Sequence, residues 1–342
     1  MDVFADADTR RHASQVFKLG YADGGFVPEE LVAALDSLDL DDVAGFVYGS
    51  GFEAQPELLE HIEKRLPLLG NRPIVVRNLK RALQFFTLLD ALHIAHPEVR
   101  FDALENAEGW LQKHAGGSGG THVMQAQKQT ALSSGYYFQR EIPGIPASML
   151  FLADGQGIKR IGFNQQWVAV STSMPYRYGG IVGHAEFSDD IKQQFMQAAQ
   201  KLTSAVGLRG LNSLDAIIAD GKIWVLEINP RLSSTFDLYQ SGLCNLFDLH
   251  VQACGGKLLD CSAIPAVSKA RHVVYAPHDL SMGDNVAWPE WMADIPVAHS
   301  VIAKDNPVCT VLAEATDASL ARAMVLGRKA EIDDLIKTLK VI

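Results

Sequence analysis

Apolar positions recur along this chain with two periods, and the switch between them predicts the order of its elements. In Pro28-Glu-Glu-Leu-Val-Ala-Ala-Leu the apolar residues fall at helical spacing behind a proline suited to a first turn. Residues 42–48, Asp-Val-Ala-Gly-Phe-Val-Tyr, read as a strand. PELLEHIEKRL from Pro56 reads as a helix, and the apolar PIVV at 73–76 leads into an amphipathic run over 78–92. These pieces predict a small N-terminal α/β unit whose opening strand is short or absent, since the sequence starts almost at DVFAD. Past His96-Pro97 the period shortens to two, with strands expected at 110–114, 136–142, 147–152 and 158–170. An amphipathic helix follows over 189–206. In LDAIIADGKIWVLEINP two β-type runs flank Asp220-Gly221, a strong hairpin signal. The last part predicts strands at 272–275 and 308–313 and a helix over 317–326, with no internal repeat or low-complexity tract.

The 342 residues, 48% of them apolar, suffice for two or three compact units and exclude a wholly disordered chain. The fold class expected is α/β with an α+β core. A formal charge of −10 gives no general drive toward a nucleic acid or an anionic membrane, although a local cluster of cations still suits an anionic ligand. No run approaches 18 apolar residues and the start lacks a signal-type apolar stretch, so a cytoplasmic protein is expected. Cys244, Cys254, Cys261 and Cys309 lack paired metal-ligand spacing and read as reduced, packed thiols.

Several residues stand out chemically. Gly116, Gly117, Ser118, Gly119 and Gly120 form a run whose backbone N–H groups can surround phosphate oxygens, although the same run also suits a plain turn. No Gly-Lys-Ser/Thr closes it, so it is not a Walker loop. Lys113, just before it, is a candidate phosphate contact or a surface lysine. Glu227 and Asn229 are two apart on one strand and share a face, and the Asp220-Gly221 turn folds the Asp215 strand back beside them. Two carboxylates and an amide oxygen suit Mg²⁺ or Mn²⁺. Arg231 follows Pro230 and offers a fork for phosphoryl charge. Ser233, Ser234 and Thr235 are hydroxyl donors or caps of the next helix. Arg177, His184 and Ser148 are candidate substrate contacts, with a surface turn and a structural histidine as the alternative for the first two.

The ordered blocks WLQKHAGGSGGTHV, YYFQREIPGIPAS and GLNSLDAIIADGKIWVLEINPRLSST resemble an ATP-grasp domain over about residues 75 to 260. The flanking regions are similar to those of predicted ATP-dependent carboligases. YGSGFEAQPELLEHIEKRLPLLGN also resembles ligase-like proteins linked to methanopterin-type one-carbon metabolism. The resemblance implies an N-terminal α/β domain over 1–75, an ATP-grasp core over 76–262 and a β-rich accessory region over 263–342. It implies ATP and Mg²⁺ as cofactors, with Lys113 and Gly116 to Gly120 on the phosphates. Asp215, Glu227 and Asn229 would hold one or two metal ions, and Arg231 would sit at the reacting phosphate. Gln139, Arg140, Glu141 and Ile142 would line the adenine and ribose pocket, although Arg140 stands where the family's pattern has an acid. Lys80 or Arg81 would supply an earlier phosphate contact. The implied activity joins a small-molecule carboxylate to an amine through an acyl phosphate, with no nucleic-acid or membrane partner and a homodimer as one assembly. A carboxylase-like enzyme, a phosphotransferase and a noncatalytic ATP sensor are the alternatives.

Overall fold

The computed structural model describes residues 1–341 except Asp23, 128–131, 242–244, 261–266 and Asn285. Cys244 and Cys261 therefore lie outside the described residues. Cys254 and Cys309 are free thiols, and burial pushes each up to about 12.

The core is an eight-stranded sheet in the order Lys222–Asn229, Arg209–Ala219, Ile145–Asp154, Ile158–Val168, Tyr178–Gly183, Ser268–Tyr275, Pro307–Ala315 and Met292–Ala293. Every neighbouring pair is antiparallel. Strand alternation sends Met149, Phe151, Leu214, Ala216 and Val225 to one face, where they are fully buried. The helix Asp189–Val206 covers that face with Ile191, Phe195, Ala198, Ala199 and Leu202. Ser188 caps its first turn by accepting from Ile191 N–H, Asp189 and Asp190 complement its dipole, and Gly207 ends it in the left-handed region at φ 70°. Truncating Phe195 to alanine would open a cavity costing about 3–5 kcal/mol.

The strands expected near 272–275 and 308–313 continue this same sheet, and the helix Ala318–Lys337 packs on them well past the 326 expected. A separate four-stranded sheet runs Val99–Arg100, Tyr136–Arg140, Trp110–His114 and Val123–Gln125.

The N-terminal region is mainly helical. The strand expected over 42–48 does not form: Phe46 makes one isolated bridge with Leu68, through Phe46 N–H to Pro67 O at 2.8 Å and Leu69 N–H to Phe46 O at 2.9 Å. An apolar run becomes a strand only when another strand satisfies its backbone, and both segments here are loops. PIVV opens a helix, because Pro73 suits the first turn and Val75, Val76 and Leu79 reach the core from Pro73–Lys80. The amphipathic run over 78–92 is split at Arg81, whose ψ of 108° ends that helix and starts Ala82–Ala91.

Asn71 fastens this region to the sheet. Its Nδ2 lies 3.0 Å from Arg209 O, 2.8 Å from Asn212 Oδ1 and 2.9 Å from Pro230 O, and its Oδ1 accepts from Arg209 N–H at 2.8 Å. His250 adds a second tie. Its Nδ1 accepts from Leu211 N–H at 2.9 Å, which leaves Nε2 to donate to Leu69 O at 2.9 Å. Asn71→Ala is expected to destabilise the protein by about 2–3 kcal/mol, since it leaves buried groups on both sides unpaired. An unchanged denaturant midpoint would remove Asn71 from this role.

His272 makes the stability pH-dependent. It accepts from Trp167 Nε1 at 2.9 Å, and burial, then Lys329, against the opposing charge of Asp333, hold its ring down to about 4 from 6.5. The neutral form is the folded one, so its contribution is intact above pH 6.5 and declines as the pH falls toward 4. His272→Gln should flatten the fall in melting temperature between pH 6.5 and 4. A slope identical to that of the unmutated protein would contradict this origin.

Candidate nucleotide and metal site

The hairpin of Arg209–Ala219 and Lys222–Asn229 turns on Asp220 and Gly221, both in the left-handed region at φ 49° and 70°, as a two-residue turn with matching strand twist requires. From Ala219 opposite Lys222 to Ala216 opposite Val225 the register is uniform. A bulge then makes Asp215 the partner of Glu227, where uniform pairing would give Leu226. Asn229 consequently faces Ser213. The bulge thus puts two carboxylates and an amide on the face opposite the helix-covered core.

Asn229 Nδ2 lies 3.2 Å from Asp215 Oδ2 and 3.2 Å from Glu227 Oε1. Ser213 Oγ donates to Asp215 Oδ1 at 2.9 Å. Lys80, at the end of Pro73–Lys80, reaches Asn229 Oδ1 at 2.8 Å and Glu227 Oε2 at 3.3 Å. Arg231 Nη2 lies 3.4 Å from the same Asn229 oxygen. Of the two residues expected for the earlier basic contact, Lys80 is in this cluster and Arg81 is exposed. Burial, then the charge of Glu227, hold the Asp215 carboxyl above the usual range. Burial opposes ionisation of Glu227 too, but Lys80, then Lys113 and His122, hold it well below.

The four-stranded sheet supplies a further cation to the pair. Lys113 and Gln139 are diagonal neighbours on paired strands, and Lys113 Nζ donates to Gln139 Oε1 at 3.1 Å. Both are buried, and Gln139 Nε2 has no partner among the described residues. Burial holds Lys113 below its ordinary value, opposed by the charges of Glu227 and Asp215. The glycine run follows this strand and is docked at both ends. Gly119 O accepts from Tyr178 N–H at 2.8 Å, and a Cβ on Gly120 would fall 2.0 Å from Tyr176 O. A Cβ on Gly117 would meet the His122 ring at 2.2 Å, while Ser118 and Gly119 stay exposed.

Other expected residues, apart from Ser148, lie away from this cluster. Arg140 is exposed, donates to Glu108 O at 2.8 Å and lies over the Trp110 ring. Glu141 accepts from Tyr176 OH at 2.6 Å and Gln125 Nε2 at 3.0 Å, and Ile142 is half-buried beyond it. Arg177 is buried and already committed to Asp305 at 3.0 Å, Ala169 O at 3.1 Å and the Tyr275 ring at 3.7 Å. His184 rests on Tyr239 with ring centres 5.0 Å apart and its Nε2 unpartnered among the described residues. Ser148 pairs with Asp215 across the strands but is fully buried and accepts from Asn164 Nδ2 at 3.1 Å. Thr235 precedes the helix Phe236–Tyr239 without capping it by its side chain; its hydroxyl meets that of Ser233 at 2.6 Å.

Glu53 joins the cluster with no role assigned from the sequence. It lies in the YGSGFE block and forms an ion pair with Arg231. Spacing gives no signal for it, because the contact spans 178 residues.

No group of three or more His, Cys, Asp and Glu side chains converges among the described residues. The donor set present still fits a hard cation, because Asp215 and Glu227 aim oxygens at one point, filled here by the Asn229 amide hydrogens. Asn229, with its oxygen turned to Lys80 and Arg231, offers that oxygen to a metal only after its amide turns over. Lys80, Lys113 and Arg231 are matched by Glu53, Asp215 and Glu227, so a polyphosphate bound at this cluster needs added positive charge.

The family model for the ATP-grasp domain matches residues 83–235. This segment is an ATP-grasp domain. It contains Lys113, the glycine run, the hairpin of Asp215 and Glu227, and Arg231, whereas Lys80 and Glu53 come from outside it. The chain is 22% identical over 231 residues to the arginine-specific carbamoyl phosphate synthase large chain of Geobacillus stearothermophilus, covering 61% of this chain and 22% of that protein. It thus spans about a fifth of that relative's length. Among solved structures, phosphoribosylamine–glycine ligase of Thermotoga maritima aligns at a TM-score of 0.67 and 15% identity, covering 95% of this chain and 88% of that one. The L-amino acid ligase of Bacillus licheniformis aligns at 0.63 and 13%, covering 85% and 77%. At these identities the likeness is one of fold, and it extends beyond the matched segment to 85% and 95% of the chain.

Gly120→Ala is expected to undock the glycine run, since φ 70° and the Tyr176 oxygen both oppose a side chain. Limited proteolysis should then cut faster within residues 115–123. Unchanged cleavage would mean that the docking does not depend on that position.

Proposed function

We propose that this protein is an ATP-dependent ligase that activates a carboxylate as an acyl phosphate and joins it to an amine, releasing ADP and phosphate. The observation that carries the reading is the cluster in which Lys80 bonds Glu227 and Asn229, Arg231 reaches Asn229, and buried Lys113, on the strand before the glycine run, feels the charges of Glu227 and Asp215. The names of two fold neighbours, phosphoribosylamine–glycine ligase and L-amino acid ligase, are consistent with ligation as the use of ATP.

In this reading Lys113, Lys80 and the N–H groups of Gly116 to Gly120 hold the phosphates, and Gln139 with the backbone of 139–142 borders the base and ribose. Asp215 and Glu227 would hold Mg²⁺, with Asn229 after its amide turns over; bound there, the ion would neutralise charge on the phosphoryl group as it transfers. Arg231 offers its remaining N–H groups to the same charge. The glycine run excludes water, which would otherwise hydrolyse an acyl phosphate. Catalysis is alignment and electrostatic stabilisation, so no side-chain nucleophile is required. Arg177, already paired with Asp305, is not assigned a substrate carboxylate here.

The test is ADP and phosphate release with Mg-ATP and pooled carboxylates and amines, with products resolved by mass. Equal ADP and phosphate, dependence on both pools and a condensation mass are expected. A phosphorylated product without free phosphate would replace ligation by phosphotransfer. Asp215→Ala, Glu227→Ala and Lys113→Ala should each lower turnover by about 100-fold or more while retaining a cooperative melt. Full turnover in all three would refute the site.

A further inference from the structure

We infer that Glu53, from the N-terminal region outside the ATP-grasp domain, is a positioning residue that sets the orientation of Arg231 toward the terminal phosphate of the nucleotide. The inference rests on the nucleotide-site reading above. Arg231 donates through Nε to Glu53 Oε1, and Glu53 Oε2 accepts the Gly51 N–H at 2.8 Å, so neither carboxylate oxygen is idle. The two side chains are only 8% and 4% accessible. Burying such a pair carries a desolvation penalty that an apolar pair would avoid, so stability is a weak reason for it and fixed geometry a better one.

The rest of the guanidinium is held as well. Nη1 donates to Leu232 O at 3.0 Å and Nη2 to Asn229 Oδ1 at 3.4 Å. Each of these nitrogens keeps one further N–H, and the fork is planar, so fixing Nε fixes where both remaining hydrogens point. With Nε released, the guanidinium can rotate toward Asp215 and Glu227 and compete there with a cation. Burial opposes the charge of Glu53, but Arg231, then Lys80, hold its carboxyl below its ordinary value, so it stays ionised beside the arginine.

The same segment carries the glycine run. A Cβ on Gly116 would lie 3.2 Å from Ala54 Cα and 3.3 Å from Glu53 O, so the run's start rests on the backbone of Glu53 and Ala54. Tyr48, five residues earlier, donates to Asn71 O at 2.6 Å, which ties the block to the anchor of the N-terminal region. One loop therefore orients the arginine and supports the glycine run.

Calorimetry with a nonhydrolysable ATP analogue and with ADP, both with Mg²⁺, tests this without knowledge of the substrates. The unmutated protein should bind the triphosphate more tightly than ADP. Glu53→Gln should weaken triphosphate binding by about tenfold, the worth of one charge-assisted hydrogen bond, with ADP affinity unchanged. Arg231→Gln should do the same, the double variant should lose no more than either single one, and Glu53→Asp should recover part of the loss. Equal weakening of both nucleotides, a Glu53→Gln variant that keeps its triphosphate preference, or additive losses in the double variant would each overturn the assignment. If the unmutated protein bound neither nucleotide, the nucleotide-site reading itself would fall, and this inference with it.

Discussion

Asp215 and Glu227 stand opposite each other on paired strands, where like charges repel unless positive charge is brought to them. The surrounding structure supplies that charge from separate elements. Lys80 comes from an N-terminal helix, Lys113 from the four-stranded sheet and Arg231 from the loop after the hairpin. None of these cations is close to the pair in the sequence except Arg231. The charge cluster therefore forms only when the helical region and both sheets are docked together.

That requirement gives the N-terminal region its meaning. Asn71 and His250 tie it to the strand Arg209–Ala219 through buried hydrogen bonds, and Tyr48 joins the same contact. The docking places Lys80 over Glu227 and Glu53 beside Arg231. A buried polar staple is sensitive to displacement, because each group that loses its partner remains unhydrated. The contacts that hold the region in place thus also maintain the charge pattern of the cluster.

Much of the core was legible locally. The helix Asp189–Val206 has its cap, its apolar spacing and its terminal glycine within a continuous stretch, and Asp220-Gly221 permits the turn that joins the hairpin. Arg177 shows where such reading stops. Its composition suits a substrate contact, but Asp305, 128 residues away, already pairs with it. The run over 42–48 is similar: its apolar pattern suits a strand, and the fold gives it no strand to pair with.

The sequence by itself determined the alternation that puts Glu227 and Asn229 on one face, the turn that folds Asp215 back, and the glycine run after Lys113. Counting outward from the turn at uniform register would set Asp215 opposite Leu226 and put Glu227 on the other face. The bulge that corrects this, the choice of Lys80 over Arg81 and the pairing of Arg231 with Glu53 were decided by tertiary structure. Local pattern specifies which way a side chain points along its own strand. Which strands slip by one residue, and which distant charges meet, depends on the burial and pairing of the whole chain.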